Sequence, residues 1–337
     1  MDMITMLNTI RDNASQTYQD RIPEATRNNL SEIRGGLLDE VDMANEFMGM
    51  FMNKIAFTFV HSRLFKNPLA ILKKGGKPTG DSVEEIFVNY AKAEKYDPTG
   101  ANLLKRTLPD VKAIYHTMNR QDKYATTVSY EALAKAFTNY GTLENFVNGI
   151  INSLYNGSNL DEFILMKKMF DNAISTECAV KIEVADPVTS AVNATEFIKA
   201  VKLVSTNMQF PSTEYNGYLT AQDKDVVPVT TFTNLDEQYI IIDSATNVAI
   251  DVDVLASAFN MSKVEFLSKR IVIDSFPNRN IRAMLIDKNF VQMYDDMIKM
   301  TTFKNPEGLY DNYWLHVWQT ISCSPLVNAV AFTVAEG

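Results

Sequence analysis

Three aspartates in the second half of the sequence, Asp243, Asp251 and Asp253, form the clearest group that could support metal chemistry. Carboxylates at strand ends can hold a hard cation such as Mg²⁺, which prefers oxygen ligands. Asp251 and Asp253, however, directly precede the helix-forming run 254–259, where a carboxylate caps free N–H groups and favours the helix dipole. We therefore favour capping and keep a metal-dependent enzyme as an alternative hypothesis.

The other reactive side chains lack spacings typical of catalysis or metal binding. The histidines His61, His116 and His316 lie in strand-like segments with no adjacent nucleophile, which predicts structural roles. Cys178 and Cys323 have no metal-type spacing and are expected to be buried free thiols. G-x-S-x-G, H-E-x-x-H and glycine-rich phosphate motifs are absent from the sequence. We therefore predict no catalytic residues, no cofactor and no metal.

Charge and composition exclude several classes of protein. The 337 residues include 32 Lys and Arg against 41 Asp and Glu, a net charge of −9, and such an acidic chain is repelled by nucleic acid. A hydrophobic content of 46% is typical of globular proteins, and the length allows two domains or one elaborate one. The N-terminus lacks the basic start and apolar run of a signal peptide, which favours an intracellular protein. The uncharged stretch 312–335 contains Pro325 and other polar residues, which predicts two buried strands rather than a membrane helix.

The composition and the hydrophobic pattern change several times along residues 1–80. Residues 1–40 are polar, with a short helical pattern at its start, and we interpret them as an arm. Residues 41–55 have the spacing of an amphipathic helix, and 57–60 that of a strand. Residues 61–80 carry five basic side chains and no acidic one, which indicates either a contact for an acidic partner surface or a solvated basic loop.

Residues 81–120 predict a ribbon of two long strands. Asp97-Pro98-Thr99-Gly100 places Asp, Pro and Gly where a type I turn prefers them, and the stretch 81–97 is mainly acidic. An isolated two-stranded hairpin is marginal in water, so the ribbon needs a surface to lie on, such as another copy of the chain. We expect intersubunit contacts at eight residues: Lys73, Lys74, Lys77, Glu84, Glu85, Asp97, Pro98 and Gly100.

The remaining chain predicts an α+β core. Apolar stripes on both sides of 156–159 indicate a kinked long helix or a helix pair, and 195–208 is amphipathic. Short strands are expected at 239–242, 270–273 and 281–286, with a further short element at 252–259. Two closing strands follow, 296–302 and 310–323. On the second of these, Trp314 and Trp318 share a face that we expect to be buried.

Five blocks of sequence resemble the major capsid proteins of small podoviruses of the Bacillus phage phi-twenty-nine type. They are KNPLAILKKGGKPTGDSVEEIF (66–87), NRQDKY (119–124), INSLYNGSNLDEFILMKKMFDN (151–172), DVDVLASAFNMSKVEFL (251–267) and NPEGLYDNYWLHVWQTIS (305–322). The blocks occur in the order of the family and cover most of the chain. They are structural signatures and contain no reaction motif.

The resemblance implies the tailed-phage shell fold named after the Hong Kong 97 phage. Its parts are expected as an N-terminal arm (1–40), a first part of the peripheral domain (41–80), the extended loop (81–120), the peripheral domain with its spine helix (121–194), the axial domain (195–287) and closing strands of the peripheral domain (288–337). The type member continues into an immunoglobulin-like C-terminal domain. This chain stops at Gly337, so we expect that domain to be absent here, either in a shorter relative or in a shortened chain.

The resemblance also implies a function and partners. The expected protein is a non-enzymatic head protein, assembled in the host cytoplasm, that forms an icosahedral or elongated shell around double-stranded DNA in the virion. Its partners would be itself, in pentamers and hexamers, a scaffolding protein and a portal protein, with weak non-specific contact to packaged DNA and no membrane. A cellular compartment shell of the same fold is an alternative.

Overall fold

A computed structural model describes residues 3–38, 43, 46–47, 50, 65–77, 82–96, 98–100, 104–129, 131, 140–218, 227–250 and 269–335. The helices are α1 (Met3–Asp12), α2 (Gln16–Arg21), α3 (Leu30–Leu38), α4 (Tyr140–Ser175), α5 (Ala191–Asn207) and α6 (Ser244–Ala249), with short 3₁₀ helices at Pro68–Leu72 and Leu235–Glu237. The strands are β1 (Gly75–Gly76), β2 (Ser82–Val88), β3 (Val111–Thr117), β4 (Arg120–Ser129), β5 (Val180–Glu183), β6 (Gln238–Asp243), β7 (Arg270–Ile273), β8 (Ile281–Asp287), β9 (Val291–Asn305), β10 (Tyr310–Cys323) and β11 (Ala329–Thr333). This mixture confirms the α+β class.

A five-stranded sheet in the order β5-β11-β8-β6-β7 holds the most buried part of the chain. Its central strand β8 is antiparallel to both β6 and β11. Helix α5 covers one face, because Phe197, Val201 and Val204 share one side of the helix and are all buried. The rings of Phe197 and Phe332 meet edge to face, with centroids 5.6 Å apart. The amphipathic helix predicted at 195–208 is thus confirmed. It begins earlier than predicted because the Ser190 hydroxyl accepts a hydrogen bond from the backbone N–H of Asn193.

A second sheet has the order β1-β9-β10-β4, and its buried face packs against the N-terminal helices. Residues 3–38 form α1, α2 and α3, and they contribute nine buried side chains to this core: Met6, Leu7, Ile10, Tyr18, Ile22, Ala25, Leu30, Ile33 and Leu37. On β10 the buried face carries Tyr313, Leu315 and Val317. Trp314 and Trp318 point to the other side and are only half-buried, so the prediction of a buried tryptophan face was wrong.

Helix α4 runs without interruption through the polar segment 156–159. A kinked helix or helix pair was predicted there because asparagine and glycine favour turns. The structure keeps the helix because its polar side chains find partners elsewhere in the chain. The Asn156 side chain accepts a hydrogen bond from Phe65 N (3.0 Å), and the Asn159 side chain donates one to Phe65 O (3.1 Å). A side chain at Gly157 would contact the ring of Tyr124, which lies 3.3 Å from the position of the missing Cβ.

The described chain divides into two compact units. One consists of Met1–Asn67, Arg120–Glu162 and Met297–Trp318, and the other of Pro68–Asn119, Phe163–Asp296 and Gln319–Gly337. Within the described residues no helix is both long and apolar enough to cross a membrane. Of the helix predicted at 41–55, the structure describes residues 43, 46–47 and 50, and all four are helical. The elements predicted at 57–60 and 252–259 lie outside the described residues, as do Asp251, Asp253, His61 and Asp97.

Candidate functional site

The strands β2 and β3 form the two-stranded ribbon that the sequence predicts, in a register from Ser82↔Thr117 to Val88↔Val111. The strands have seven residues each, which is shorter than predicted, and the connection between them has no regular strand in its described residues. Pro98 and Thr99 form a turn, and Gly100 has φ +71°, a conformation that glycine adopts at little cost. Pro98 and Gly100 are both exposed, as expected for the tip of a ribbon.

One face of the ribbon is exposed and mainly apolar. Because side chains alternate along a strand, the cross-strand pairs Val88↔Val111, Ile86↔Ala113 and Glu84↔Tyr115 all lie on this face. Ile86 is 59% exposed and Tyr115 62% exposed. The Tyr115 hydroxyl donates a hydrogen bond to the Glu84 carboxylate (2.9 Å), and this bond raises the pKa of Tyr115. We call these six residues the outer ribbon face.

The connection beyond the outer ribbon face also exposes apolar side chains. Tyr90, Tyr96, Leu104 and Leu108 are all more than half exposed, and Leu104 reaches 95%. Large exposed apolar patches on a folded chain mark surfaces that another molecule covers.

The opposite face of the ribbon is held by a buried histidine whose partners the sequence did not identify. His116, 1% exposed, contacts Ser322 Oγ through Nδ1 (2.9 Å) and Glu85 Oε2 through Nε2 (3.1 Å). A hydroxyl is therefore adjacent to this histidine, contrary to the expectation from sequence, because β10 brings in a residue 206 positions away. The contacts join β3 to β2 and to the end of β10. They support the structural role that we predicted for His116.

Two asparagines complete the attachment of the ribbon. Asn119 forms hydrogen bonds with the backbone of Ile321 in both directions, at 2.7 and 2.9 Å. Asn89 donates to Asp110 Oδ2 (2.6 Å) and to Pro228 O (2.9 Å), and it accepts from Thr230 N (3.0 Å). The base of the ribbon is thus fixed, whereas the outer ribbon face has no comparable cover from the described part of the chain.

The three lysines expected at an intersubunit contact lie along β9 of the same chain. Strand β1 pairs in parallel with β9, with Gly75 opposite Tyr294, and this places the flanking lysines beside the acidic residues of β9. Lys73 Nζ lies 2.8 Å from Asp295 Oδ1, and Lys77 Nζ lies 3.2 Å from Asp296 Oδ1.

The ammonium group of Lys74 forms hydrogen bonds with the segment that precedes β9. It donates to Lys288 O (3.2 Å) and to Asn289 Oδ1 (2.7 Å), and burial lowers its pKa. Lys73 and Lys77 thus pair with acidic groups of the chain itself, whereas Lys74 donates to neutral oxygens. Their contact with a neighbouring subunit stays a prediction.

Asp243, the described member of the aspartate group, has two structural partners. Its Oδ1 accepts a hydrogen bond from Thr246 N (2.6 Å) and caps α6, and its Oδ2 lies 3.4 Å from Arg282 Nη1. Among the described residues no group of three or more His, Cys, Asp and Glu could hold a metal ion. The geometry at Asp243 therefore favours the capping interpretation.

Comparison with known proteins gives a consistent result. The sequence profile of the family described as "Phi29-like phage major capsid protein" matches residues 7–333. The major capsid protein of Bacillus phage B103 is 36% identical over 98% of this chain and 73% of its own length. That of Bacillus phage PZA is 35% identical over the same shares.

Solved structures resemble the fold at lower sequence identity. The chain is similar to a chain of the capsid of Staphylococcus phage Andhra, with a TM-score of 0.66 and 17% identity over 81% of this chain and 85% of the other. It is also similar to a chain in the structure of the head fiber and inner core protein of bacteriophage P68, with a TM-score of 0.59 and 15% identity over 81% and 87% of the two chains. At these identities the likeness shows the fold, which is that of tailed-phage capsids.

Proposed function

This chain belongs to the family of Phi29-like phage major capsid proteins, and from that premise we propose that the outer ribbon face is the surface through which one subunit lies on the next. The chain is a structural component of the virion and forms the phage capsid by self-association. The alternative of a cellular compartment shell finds no support in the relatives.

The observation that carries the proposal is the exposure of Ile86, Val88, Val111 and Tyr115 on one face of a two-stranded ribbon. Burial of apolar surface contributes roughly 25 cal/mol per Å², so covering these side chains would stabilise an assembled state. A ribbon of two strands gains little from its own packing. A second copy of the chain is the natural occupant because a capsid is built from many copies of one subunit.

Charged substitutions on the outer ribbon face test this proposal. In the double variant Ile86→Lys, Val111→Lys, two ammonium groups would be buried at the intersubunit contact, which is strongly unfavourable. We expect the Tm of the unassembled chain to stay within about 2 °C of wild type, because surface changes have small effects on stability. The protein concentration needed for assembly, measured by light scattering and negative-stain microscopy, should rise at least about tenfold, since 1.4 kcal/mol corresponds to a factor of ten.

A matched control separates this contact from a general effect of added charge. Val192→Lys and Val248→Lys also replace exposed valines by lysine, but these residues belong to α5 and α6 and not to the ribbon. The control should assemble at the wild-type concentration. Assembly of the ribbon variant at that same concentration would overturn the proposal.

We extend the proposal to the parts and partners that the family implies. We assign the arm to 1–40 and the extended loop to 81–120. The peripheral domain comprises 41–80, 121–194 and 288–337, and the axial domain comprises 195–287. A scaffolding protein and a portal protein would associate with the shell during assembly. The net charge of −9 supports only weak, non-specific contact with packaged DNA.

We also propose that the protein has no catalytic role. The support comes from Asp243, whose oxygens interact with Thr246 N and Arg282 rather than facing an open site. Calorimetric titration with Mg²⁺ and Mn²⁺ tests the rival metal-dependent enzyme. We expect no saturable heat, and stoichiometric binding that disappears in Asp243→Asn would favour the rival.

A further inference from the structure

The turn between β9 and β10 has an unusual backbone conformation at Leu309. Among the described residues, Glu177 and Leu309 are the two other than glycine with a positive φ, +60° and +49°. Glu177 lies just past the end of α4, where a left-handed residue commonly ends a helix. Leu309 lies in a turn, where glycine or asparagine would adopt this conformation at lower cost. The folded chain therefore holds this leucine at an energetic cost.

The side chain of Asn305 fixes the turn. Its Oδ1 accepts hydrogen bonds from Glu307 N (3.1 Å) and Gly308 N (2.9 Å), and its Nδ2 donates one to Tyr310 Oη (2.8 Å). The ring of Tyr310 occupies the space that a side chain at Gly308 would need. Leu309 is thus presented by a rigid turn, so little conformational freedom would be lost when its side chain binds another molecule.

The turn holds apolar side chains in water. Leu309 and Phe303 are both more than half exposed, and Phe303 lies on β9 two residues before Asn305. We call Phe303 and Leu309 the hairpin anchors. Residues with unfavourable backbone conformations collect at binding and switch regions, and exposed apolar side chains mark surfaces that another molecule covers. The two observations together point to a contact surface at this end of the hairpin.

We propose that the hairpin anchors insert into a second copy of the chain and form an intersubunit contact separate from the outer ribbon face. A second copy is the occupant because the family builds its capsid from this subunit. Repetition of a single head-to-tail contact gives a ring or an open filament, whereas a closed shell needs contacts in at least two directions. The ribbon belongs to one compact unit of the chain and the hairpin anchors to the other, so they can provide two different contacts.

The substitution Leu309→Gly tests this contact, because it should affect stability and assembly differently. Glycine adopts a positive φ readily, so the Tm of the unassembled chain should be equal to or higher than that of wild type. The concentration that the purified chain needs for assembly, measured by light scattering and negative-stain microscopy, should rise at least about tenfold, because the burial of one leucine side chain is worth that factor. Assembly of Leu309→Gly at the wild-type concentration would overturn the proposal.

Two further substitutions at the same position separate the side chain from the backbone. Leu309→Asn also tolerates a positive φ and removes the apolar side chain, so it should show the same loss of assembly as Leu309→Gly. Leu309→Met keeps a flexible apolar side chain and should assemble within about twofold of the wild-type concentration. An equal defect in Leu309→Met and Leu309→Asn would contradict an apolar contact at this position.

Sedimentation velocity of the same variants distinguishes the two intersubunit contacts. Leu309→Gly keeps the outer ribbon face, so it should form small oligomers but no shells. Combined with Ile86→Lys and Val111→Lys, it should remain monomeric. Normal assembly of the ribbon variant would overturn only the contact at the outer ribbon face, whereas normal assembly of Leu309→Gly would overturn only the contact at the hairpin anchors. A defect of Leu309→Gly that appears only when a second protein is present would assign the anchors to that protein and would also overturn this proposal.

Discussion

The five-stranded sheet and the ribbon β2–β3 contain similar side chains in opposite environments. Strand β8 lies between two neighbouring strands and carries Ile281, Leu285 and Ile286, all at most 1% exposed, and Leu285 packs in the core that α5 covers. The ribbon carries Ile86 and Val111 on a face that is about half exposed. Both segments have the β-branched and aliphatic residues typical of strands. The difference lies in the cover, which the chain provides for β8 and does not provide for the ribbon within its described residues.

This contrast shows how a subunit of a shell differs from a monomeric protein. In a monomer the apolar side chains of a strand find cover within the same chain, and large exposed patches are rare. In a capsid protein part of that cover comes from other copies. An apolar strand face without cover in its own chain is therefore a structural indication of assembly, and it identifies which residues take part.

Truncation of one core residue and one ribbon residue gives the largest expected difference. Leu285→Ala removes a fully buried side chain and should lower the free energy of unfolding of the unassembled chain by about 2–5 kcal/mol. Ile86→Ala should lower it by less than about 0.5 kcal/mol, because the side chain is mainly in water. Urea denaturation followed by circular dichroism measures both values.

In assembly we expect the same two variants to show the opposite order of effects. Ile86→Ala should raise the concentration needed for assembly while Leu285→Ala, at a temperature where it is folded, should leave it close to wild type. Equal losses of stability in the two variants would remove the contrast between the regions.

Strand β10 has a buried face and a half-buried face on the same strand, so it allows the comparison within one element. Leu315 lies in the core with the N-terminal helices, whereas Trp318 is half-buried on the opposite face. Leu315→Ala should cost about 2–5 kcal/mol of stability. Trp318→Ala should cost about 1 kcal/mol, although it removes the larger side chain. Thermal unfolding of both variants tests this order. A greater loss of stability in Trp318→Ala would show that the tryptophan face is the buried one, as the sequence predicted.

The error on β10 has a simple physical origin. The alternation of side chains along a strand shows which residues share a face, but it does not show which of the two faces is buried. On β10 the large, apolar tryptophan side chains led us to predict the wrong face as the buried one. The ribbon was correctly located because its turn residues and its charge pattern are local signals. Its outer face emerged only from the register Ile86↔Ala113, which depends on both strands.

Long-range partners explain the other differences. The sequence correctly predicted α5 because its apolar stripe is local. It predicted a break in α4 because the partners of Asn156 and Asn159 lie about ninety residues away at Phe65. His116 could not be connected to Ser322 for the same reason. Lys73 and Lys77 were expected to meet acidic groups of a neighbouring subunit, and that contact stays a prediction. Their partners within the chain, Asp295 and Asp296, could be placed beside them only by the pairing of β1 with β9.

The smallest expected effect concerns the base of the ribbon, where hydrogen bonds attach the exposed ribbon to the rest of the chain. Hydrogen bonds from Lys112 and Asn89 lower the pKa of Asp110 below its usual value of 3.8. Because the folded pKa is lowered, the ionised carboxylate stabilises the base fully above about pH 4, and this contribution is lost as the pH falls through the lower folded value. Protonation removes an acceptor of Asn89, which also holds Thr230 N. The attachment of the ribbon should therefore loosen in acid.

Amide hydrogen exchange of the unassembled chain, corrected for intrinsic rates at each pH, measures this loosening. The protection of the Thr230 amide, which donates to Asn89, should fall by about two- to fivefold between pH 5 and pH 3, in the range expected for an exposed charge pair. The neighbouring Thr231 amide donates to Ser212 O and serves as an internal control that should change less. Asp110→Asn has no carboxylate to protonate, so its Thr230 protection should already be low at pH 5 and nearly independent of pH. An equal acid response in this variant would show that another group holds the ribbon to the body.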